Sequence, residues 1–164
     1  MQPEDVSTLI EKGIALFELG KYEESLIYFD RAISVQPGDL SALYNKGTSL
    51  SNLGRYEEAI IYYDKVLAID PDNISALDNK AQSLTGLRRY EEALVCVDKI
   101  LSIKPDDPEP LQNKGVILGC WGKFSESITY FDRVISIQPD NAVALRLKGN
   151  ALIFGKIWSS SQCF

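Results

Sequence analysis

The chain has 164 residues, which suits one compact domain or a short array of repeats. A formal net charge of −6 argues against a nucleic-acid partner, because the phosphate backbone would be repelled. There is no histidine, the commonest general base and metal ligand, and the three cysteines form no Cys-x-x-Cys pair. We therefore predict no catalytic residue, no metal and no cofactor.

The composition also bears on where the protein works. The N-terminus, Met-Gln-Pro-Glu-Asp, is acidic and no apolar stretch follows it, so it does not resemble a secretory signal. No run approaches the roughly 18 apolar residues that a membrane span needs. An odd number of cysteines argues against a disulfide framework. We expect a cytoplasmic protein with no membrane partner.

Residues of the same type recur along the chain at one fixed spacing, the interval from Leu16 to Leu50. Leucine recurs at this spacing as far as Leu152, and three further classes of residue recur at the same spacing. These are the prolines 37, 71, 105 and 139, the small residues Gly13, Gly47, Ala81, Gly115 and Gly149, and the aromatic residues Tyr22, Tyr56, Tyr90 and Phe124. Chance does not produce so many registers with one period, so the sequence predicts a repeat protein.

Each repeat is predicted to contain two helices. In the second repeat, Leu43, Gly47 and Leu50 lie at i, i+4 and i+7, which places them on one face of a helix. Gly54 supplies a turn after that helix, and a second amphipathic helix then runs towards Pro71. One such helix pair cannot bury both of its faces, so neighbouring repeats must stack.

The period divides the chain, residues 1–164, into a single array of four whole repeats and a partial one. The whole repeats span residues 6–39, 40–73, 74–107 and 108–141. A partial capping repeat is predicted over 142–158, followed by an irregular tail over 159–164. In the partial repeat the turn glycine, Gly155, falls one residue early.

The second repeat resembles the tetratricopeptide family. The family pattern has a small residue in the first helix, a Gly-x-Tyr turn, a small residue and an aromatic residue in the second helix, and a closing proline. Here these positions hold Gly47, Gly54, Tyr56, Ala59, Tyr63 and Pro71. The resemblance implies an all-α fold, a right-handed α-solenoid of stacked antiparallel helix pairs whose first helices line a concave groove. It implies a scaffold that binds an extended peptide or a partner protein, and no enzyme activity.

By register with the family, one groove-facing position holds Asn45, Asn79 and Asn113. Because an amide offers both a donor and an acceptor, these side chains can pair with a peptide backbone whatever its sequence. The arrangement resembles the asparagine ladder of O-linked N-acetylglucosamine transferases. The alternative is a solvated polar face, or asparagines bonded to neighbouring backbone. Other groove positions that we expect to contact the peptide are Tyr44, Thr48, Asp78, Gln82 and Gln112.

A lysine also recurs once in every period, from Lys12 to Lys148. One interpretation is an anion-binding stripe. A matching series of aspartates, Asp30, Asp64, Asp98 and Asp132, favours the other interpretation, in which the lysine stems pack and the amines form structural ion pairs.

The end of the partial repeat is unusually apolar. Leu152, Ile153, Ile157 and Trp158 would lie in water if no second helix covered them. A homodimer through this end is therefore predicted, with a fold-back of the last residues as the alternative that keeps a monomer. The leading function is a non-enzymatic scaffold. The alternatives are the substrate-recruiting segment of a larger enzyme, such as an O-linked N-acetylglucosamine transferase, and a self-association module.

Overall fold

A computed structural model describes residues 5–161, with side chains described as far as Lys156. Over these residues the chain forms nine α-helices and no strand, which confirms the predicted all-α fold. The helices are α1 Val6–Glu18, α2 Tyr22–Val35, α3 Leu40–Asn52, α4 Tyr56–Ile69, α5 Ile74–Gly86, α6 Tyr90–Ile103, α7 Pro108–Cys120, α8 Phe124–Ile137 and α9 Ala142–Ser161. The first helices of successive pairs, α1, α3, α5, α7 and α9, start one repeat period apart, beginning with Val6 and Leu40.

The residue after the closing loop of each repeat caps the next helix. The Asp39 carboxylate accepts a hydrogen bond from the backbone N–H of Ala42 at 2.8 Å, and the Asn73 amide oxygen accepts one from Ala76 at 3.0 Å. Asn141 caps α9 in the same way. These side chains satisfy an N–H group that the first turn of a helix leaves without a partner, so they fix where each helix begins.

Left-handed residues separate the two helices of a repeat. Gly20, Gly54 and Gly122 have φ values of 74°, 73° and 82°. In the third repeat Arg88 takes this position with φ 59°, a conformation that costs a side-chain-bearing residue about 1 kcal/mol or more. The turn therefore forms with arginine at the position where the other repeats have glycine.

The chain forms two compact units. The N-terminal unit comprises residues 1–87 and contains α1 to α5, and the C-terminal unit comprises residues 88–164 and contains α6 to α9.

In the N-terminal unit, a glycine on the first helix of a pair faces an aromatic ring on the second. A Cβ on Gly47 would lie 2.8 Å from Cε1 of Tyr63, and a Cβ on Gly13 would lie 2.5 Å from Cε1 of Phe29. Both rings are fully buried. The absence of a side chain on the first helix thus lets the ring of the second helix pack against its backbone. A cluster of Leu43, Val66 and Ala76 joins the second repeat to the third.

The C-terminal unit uses the same contact. A Cβ on Gly115 would lie 2.6 Å from Cε1 of Phe131, and the Phe131 ring is buried. Leu111, Val134 and Ala144 then form a core that joins α7 and α8 to α9.

The structure corrects the sequence prediction near the end of the chain. α9 continues to Ser161, so residues 159–161 are helical, whereas the sequence predicts an irregular tail from residue 159. Gly155 lies inside this helix and not in a turn. It packs closely on α8, where a Cβ would lie 3.3 Å from Cβ of Phe124, and no proline nearby stops the helix. Residues 162–164 of the predicted tail lie outside the described part.

Tyr63 combines deep burial with an unusual hydroxyl group. The residue is 0% exposed, and its Oη has no partner in hydrogen-bond geometry among the described side chains and backbone. Burial disfavours the phenolate and raises the pKa of Tyr63 to about 12, although the nearby hydroxyls of Thr48 and Ser51 act in the opposite direction. Burial is therefore the dominant influence on this phenol.

The glycine–aromatic contact yields a first prediction. Gly47→Ala forces a methyl group into the buried Tyr63 ring, and we expect the free energy of unfolding to fall by about 1–3 kcal/mol. The control is Gly149→Ala, at the same position of the repeat, where no described atom outside the adjoining part of α9 lies within 4 Å of the place that the new methyl group would take. That change removes a flexible helical glycine and should stabilise by roughly 0.5–1 kcal/mol. Urea denaturation followed by circular dichroism measures both, and equal shifts in one direction would contradict the packing account.

The pKa of Tyr63 yields a second prediction. A folded-state pKa of about 12 lies above the ordinary value of 10.0, so the unfolded chain loses this proton first as the pH rises. The contribution of Tyr63 to stability is therefore fully present below pH 10 and is lost through pH 12. Relative to Tyr63→Phe, the wild type should lose roughly 1 kcal/mol of unfolding free energy by about pH 11. Parallel stability curves for the two proteins from neutral pH into this range would show that the phenol is not desolvated.

Candidate functional site

The lysine and aspartate series form ion pairs between consecutive repeats. Lys46 on α3 binds Asp30 on α2, and Lys80 Nζ lies 2.5 Å from an oxygen of Asp64. The pairs Lys114 with Asp98 and Lys148 with Asp132 repeat the arrangement in the C-terminal unit. In each pair the lysine belongs to the first helix of one repeat and the aspartate to the second helix of the preceding repeat. The structural interpretation of the lysine series is therefore confirmed for these four lysines.

Lys46 is the most enclosed of these lysines. The residue is only 9% exposed, and its Nζ donates to Asp30 and, at 2.7 Å, to Tyr62 Oη. Burial alone would lower the pKa of Lys46, but the hydrogen bonds with Asp30 and Tyr62 outweigh it and leave the pKa raised. The amine stays charged at neutral pH and is already neutralised by a carboxylate, so it offers little to an anionic ligand.

The predicted asparagine positions are bonded within the protein. Asn45 Nδ2 donates to the backbone oxygen of Ser41 at 2.8 Å, one turn earlier in α3. Asn79 Nδ2 instead donates to Tyr44 Oη at 2.9 Å and so links α5 to α3. For Asn45 the structure thus shows the bond to neighbouring backbone, which is the alternative interpretation of this series. Asn113 is half-buried on α7 of the C-terminal unit and is also engaged.

The remaining predicted groove residues fall into two groups. Tyr44, Thr48, Asp78 and Gln82 lie with Asn79 in the N-terminal unit, on α3 and α5. Hydrogen bonds within each helix hold two of these side chains, since Thr48 Oγ1 donates to the backbone oxygen of Tyr44 at 3.0 Å and Gln82 Nε2 donates to Asp78 at 2.7 Å.

Gln112 belongs to the other group. It is half-buried in the C-terminal unit, beside the loop residues Asp107 and Gln138. The predicted groove residues are thus distributed over both units.

A polar pocket of about 260 Å³ opens between α3, α4 and α5 of the N-terminal unit. It is lined by Thr48, Ser51 and Asn52 from α3, Tyr56 and Tyr63 from α4, and Asn79 and Gln82 from α5. Thr48, Asn79 and Gln82 are among the groove residues predicted from the sequence, whereas Tyr63 is named there only as the aromatic position of the family pattern. The missed signal is that Tyr63 carries a hydroxyl where the equivalent residues, Phe29 and Phe131, carry none.

A second pocket, of about 200 Å³, lies between α7, α8 and α9 of the C-terminal unit. Its lining is largely apolar and includes Val116, Phe124, Phe131, Leu147 and Phe154. The Phe154 and Phe124 rings stack at its edge, with their centroids 6.3 Å apart.

The apolar residues near the end of α9 are solvent-exposed where they are described. Leu152, Ile153 and Phe154 are 43%, 58% and 56% exposed. The side chains of Ile157 and Trp158, which belong to the same predicted surface, lie outside the described residues.

Nowhere among the described side chains do three His, Cys, Asp or Glu residues come close enough together to hold a metal ion. Cys96 is buried and Cys120 is exposed, and neither forms a disulfide in the described part of the chain. Within the same residues, no helix combines the length and the apolar character that a bilayer span requires. The cytoplasmic location stays a prediction.

Comparison with known proteins identifies the repeats. Two tetratricopeptide repeat models match the sequence, one over residues 10–74 and the other over residues 81–149. No curated protein matches the sequence significantly.

Solved structures with the same fold share little sequence with this chain. A tetratricopeptide repeat protein from Parabacteroides merdae aligns with a TM-score of 0.86 at 23% identity, over 93% of this chain and 60% of that one. This chain thus spans less than two thirds of that protein. MamA from Desulfovibrio magneticus aligns with a TM-score of 0.82 at 22% identity, over 96% of this chain and 92% of its own length.

YrrB, described as a tetratricopeptide repeat protein with an unusual peptide-binding site, aligns with a TM-score of 0.76 at 21% identity. The match covers 94% of this chain and 80% of YrrB. These structures establish an all-α helical-repeat solenoid fold. Repeats of this kind support a role as a protein-interaction scaffold. From the two matches and the regular helix spacing, we conclude that the chain belongs to the tetratricopeptide repeat family.

Proposed function

We propose that this protein is a non-enzymatic interaction scaffold that binds an extended peptide, or an extended segment of a partner protein, on its first helices. The observation that carries the proposal is the linked polar surface of the N-terminal unit. There Asn79 donates to Tyr44, and both Thr48 and Gln82 lie at the adjoining pocket. Such a surface presents hydrogen-bonding groups that are already held in place.

The geometry of Asn79 explains how it would contact a peptide. Its amino group is held by the Tyr44 hydroxyl, so the carbonyl oxygen lies on the opposite side of the planar amide. A peptide N–H is a natural donor to that oxygen, and it is the same in every sequence. An acceptor that is fixed before binding loses less conformational entropy when the peptide arrives.

Charge supports a neutral peptide as the ligand. The chain has a net charge of −6, and Lys46, Lys80, Lys114 and Lys148 already pair with aspartates. A nucleic acid or a strongly acidic peptide would find no unpaired cation among these four lysines. The peptide-binding site named for YrrB, a protein of the same fold, also supports the proposal.

The C-terminal unit contributes separately. In the proposal, Gln112 and Asn113 on α7 contact a peptide as Asp78 and Asn79 do on α5, because they occupy corresponding positions of the repeat. Asn45 contributes through its oxygen, since its amino group is held by Ser41.

A peptide library displayed on phage and selected against the full chain tests the scaffold proposal. The affinity of a selected peptide is then measured by fluorescence anisotropy. Replacing Asn45, Asn79 and Asn113 together by alanine removes three hydrogen-bonding groups, each worth about 0.5–1.5 kcal/mol. We expect the affinity to fall by roughly one to two orders of magnitude.

The control for that experiment is Gln36→Ala, which removes an exposed amide from the loop between α2 and α3. It should leave the affinity unchanged. Failure to select any peptide, or a triple variant that binds as tightly as the wild type, would refute binding through these asparagines.

A second candidate function, self-association, is favoured by the exposed apolar surface of α9. Leu145, Leu152, Ile153 and Phe154 are each more than two-fifths exposed. Burying one large apolar side chain is worth about 1.5–3 kcal/mol, so several together favour an association in which two copies cover each other. This is the homodimer predicted from the sequence.

Light scattering at high micromolar concentration tests the homodimer. We expect a dimer for the wild type and a monomer for Ile153→Asp, because the new carboxylate would be buried without a partner. Val95→Asp is the control, since it adds the same charge at an apolar residue of α6 that is 69% exposed. A wild-type protein that stays monomeric at this concentration would rule out the dimer.

A further inference from the structure

The two pockets occupy the same place in the repeat. Each of the seven residues that line the polar pocket has a counterpart two repeat periods later that lines the apolar pocket. The residue types differ at all seven positions, and six of the replacements remove a polar group. The changes include Thr48 to Val116, Asn52 to Cys120, Tyr63 to Phe131 and Asn79 to Leu147.

The residues that line the apolar pocket show which side chains helix packing alone requires at this place. The C-terminal unit packs its helices around the same place with Val116, Phe131 and Leu147. The helix arrangement therefore does not require polar residues there. The hydroxyl of Tyr63 is the sharpest difference, since it adds a buried polar group where Phe131 has none. The hydroxyls of Thr48 and Ser51 lie near it, but neither is in hydrogen-bond geometry with it. A buried hydroxyl without a partner is uncommon in proteins, and a ligand in the pocket would supply the missing hydrogen-bond partner.

The amide groups of the pocket have a fixed orientation. Asn52 Nδ2 donates to the backbone oxygen of Thr48 at 2.9 Å, and Gln82 Nε2 donates to a carboxylate oxygen of Asp78 at 2.7 Å. Both partner atoms can only accept hydrogen bonds, so the amino side of each amide must face them. The carbonyl oxygens of Asn52 and Gln82 therefore point away from these partners and can accept a hydrogen bond from a ligand, and each amide also keeps a second N–H. Asn79 adds a third amide, whose amino group is held by Tyr44.

The pocket thus combines amide oxygens, which accept, with the Tyr63 hydroxyl, which can donate. A matching group carries N–H donors and a carbonyl acceptor side by side, and a primary carboxamide has both. We propose that the polar pocket binds the side-chain carboxamide of an asparagine or glutamine. This inference rests on the proposed peptide-binding function and names the residue type that the N-terminal unit selects.

The size of the pocket agrees with a side chain as its occupant. Its volume of about 260 Å³ falls just below the roughly 300–1,000 Å³ of pockets for whole small molecules, and a water molecule takes about 30 Å³. A single side chain with a few heavy atoms is the ligand of the right scale.

Other side chains fit less well. A carboxylate would face the amide oxygens and the charge of Asp78. An ammonium or guanidinium group carries no acceptor for the Tyr63 hydroxyl. An apolar side chain would remove water from the polar lining and return no hydrogen bond, which selects strongly against it.

Three small probes of similar shape test the chemistry on the full chain. Propanamide, propanoate and propylammonium are titrated at neutral pH while NMR records the side-chain NH₂ signals of Asn52, Asn79 and Gln82. We expect saturable shifts with propanamide and none with the two charged probes. Tyr63→Phe should weaken propanamide binding by roughly two- to tenfold, the loss of one hydrogen bond. Tyr28→Phe, a hydroxyl deletion on α2 outside the pocket, should leave it unchanged.

The Tyr63→Phe variant is expected to fold, because Phe29 and Phe131 occupy the equivalent position elsewhere in the chain. Absence of shifts with propanamide, equal shifts with either charged probe, or undiminished binding by Tyr63→Phe would overturn the carboxamide assignment.

The peptide selection separates the carboxamide assignment from the scaffold proposal. Selected peptides that favour asparagine or glutamine at one position in the wild type, and lose that preference in Tyr63→Phe, support the assignment. Peptides that bind without such a preference overturn it and leave the scaffold standing. Propanamide binding with no selected peptide supports the pocket chemistry and overturns the scaffold.

Discussion

The close approach of an aromatic ring to a helix backbone is the contact on which the rest of this structure depends. At Gly13, Gly47 and Gly115 any side chain would collide with Phe29, Tyr63 or Phe131, each on the second helix of the same pair. The third repeat has a larger residue, Ala81, at the glycine position, and a smaller one, Val97, at the aromatic position. Because the ring needs this space, the two helices are fixed against each other in the three pairs that have both the glycine and the ring. The remaining apolar faces can then be buried only by the next pair, as the cluster of Leu43, Val66 and Ala76 shows.

The same contact creates the candidate site. Gly47 lets the ring of Tyr63 pass beneath α3, and the hydroxyl at its end becomes part of the polar pocket. Packing of α5 brings Asn79 and Gln82 to the opposite wall. The ion pairs Lys46–Asp30 and Lys80–Asp64 join neighbouring repeats elsewhere in the N-terminal unit. The aromatic ring packs against a glycine in three repeats, and in the second repeat it also places a hydroxyl group at a polar pocket. The candidate site is therefore a consequence of packing, and its chemistry is set by the few residues that differ between the repeats.

Much of the fold could be predicted from the sequence, because period, caps and ion pairs are all properties of residue spacing. The repeat period predicts the helix starts, and the aspartate or asparagine after each closing loop predicts the caps. Atomic contacts were not predictable in this way. Whether Asn45 bonds to Ser41 or Asn79 to Tyr44 depends on side-chain rotamers, and the role of the Tyr63 hydroxyl depends on what surrounds the ring. The residue type of Gly155 predicts a turn, but its packing on Phe124 keeps it helical.

A double-mutant cycle on Gly47 and Tyr63 tests the central contact most directly. Tyr63→Val introduces the residue that the third repeat has at this position, and Gly47→Ala introduces the alanine that accompanies it there. If the two residues compete for one space, alanine should be costly beside tyrosine and nearly harmless beside valine. We expect the double variant to be more stable than the sum of the single changes implies, by about 1–2 kcal/mol in urea denaturation. Additive effects within about 0.5 kcal/mol would contradict the account, because they would show that the glycine and the ring do not share a space.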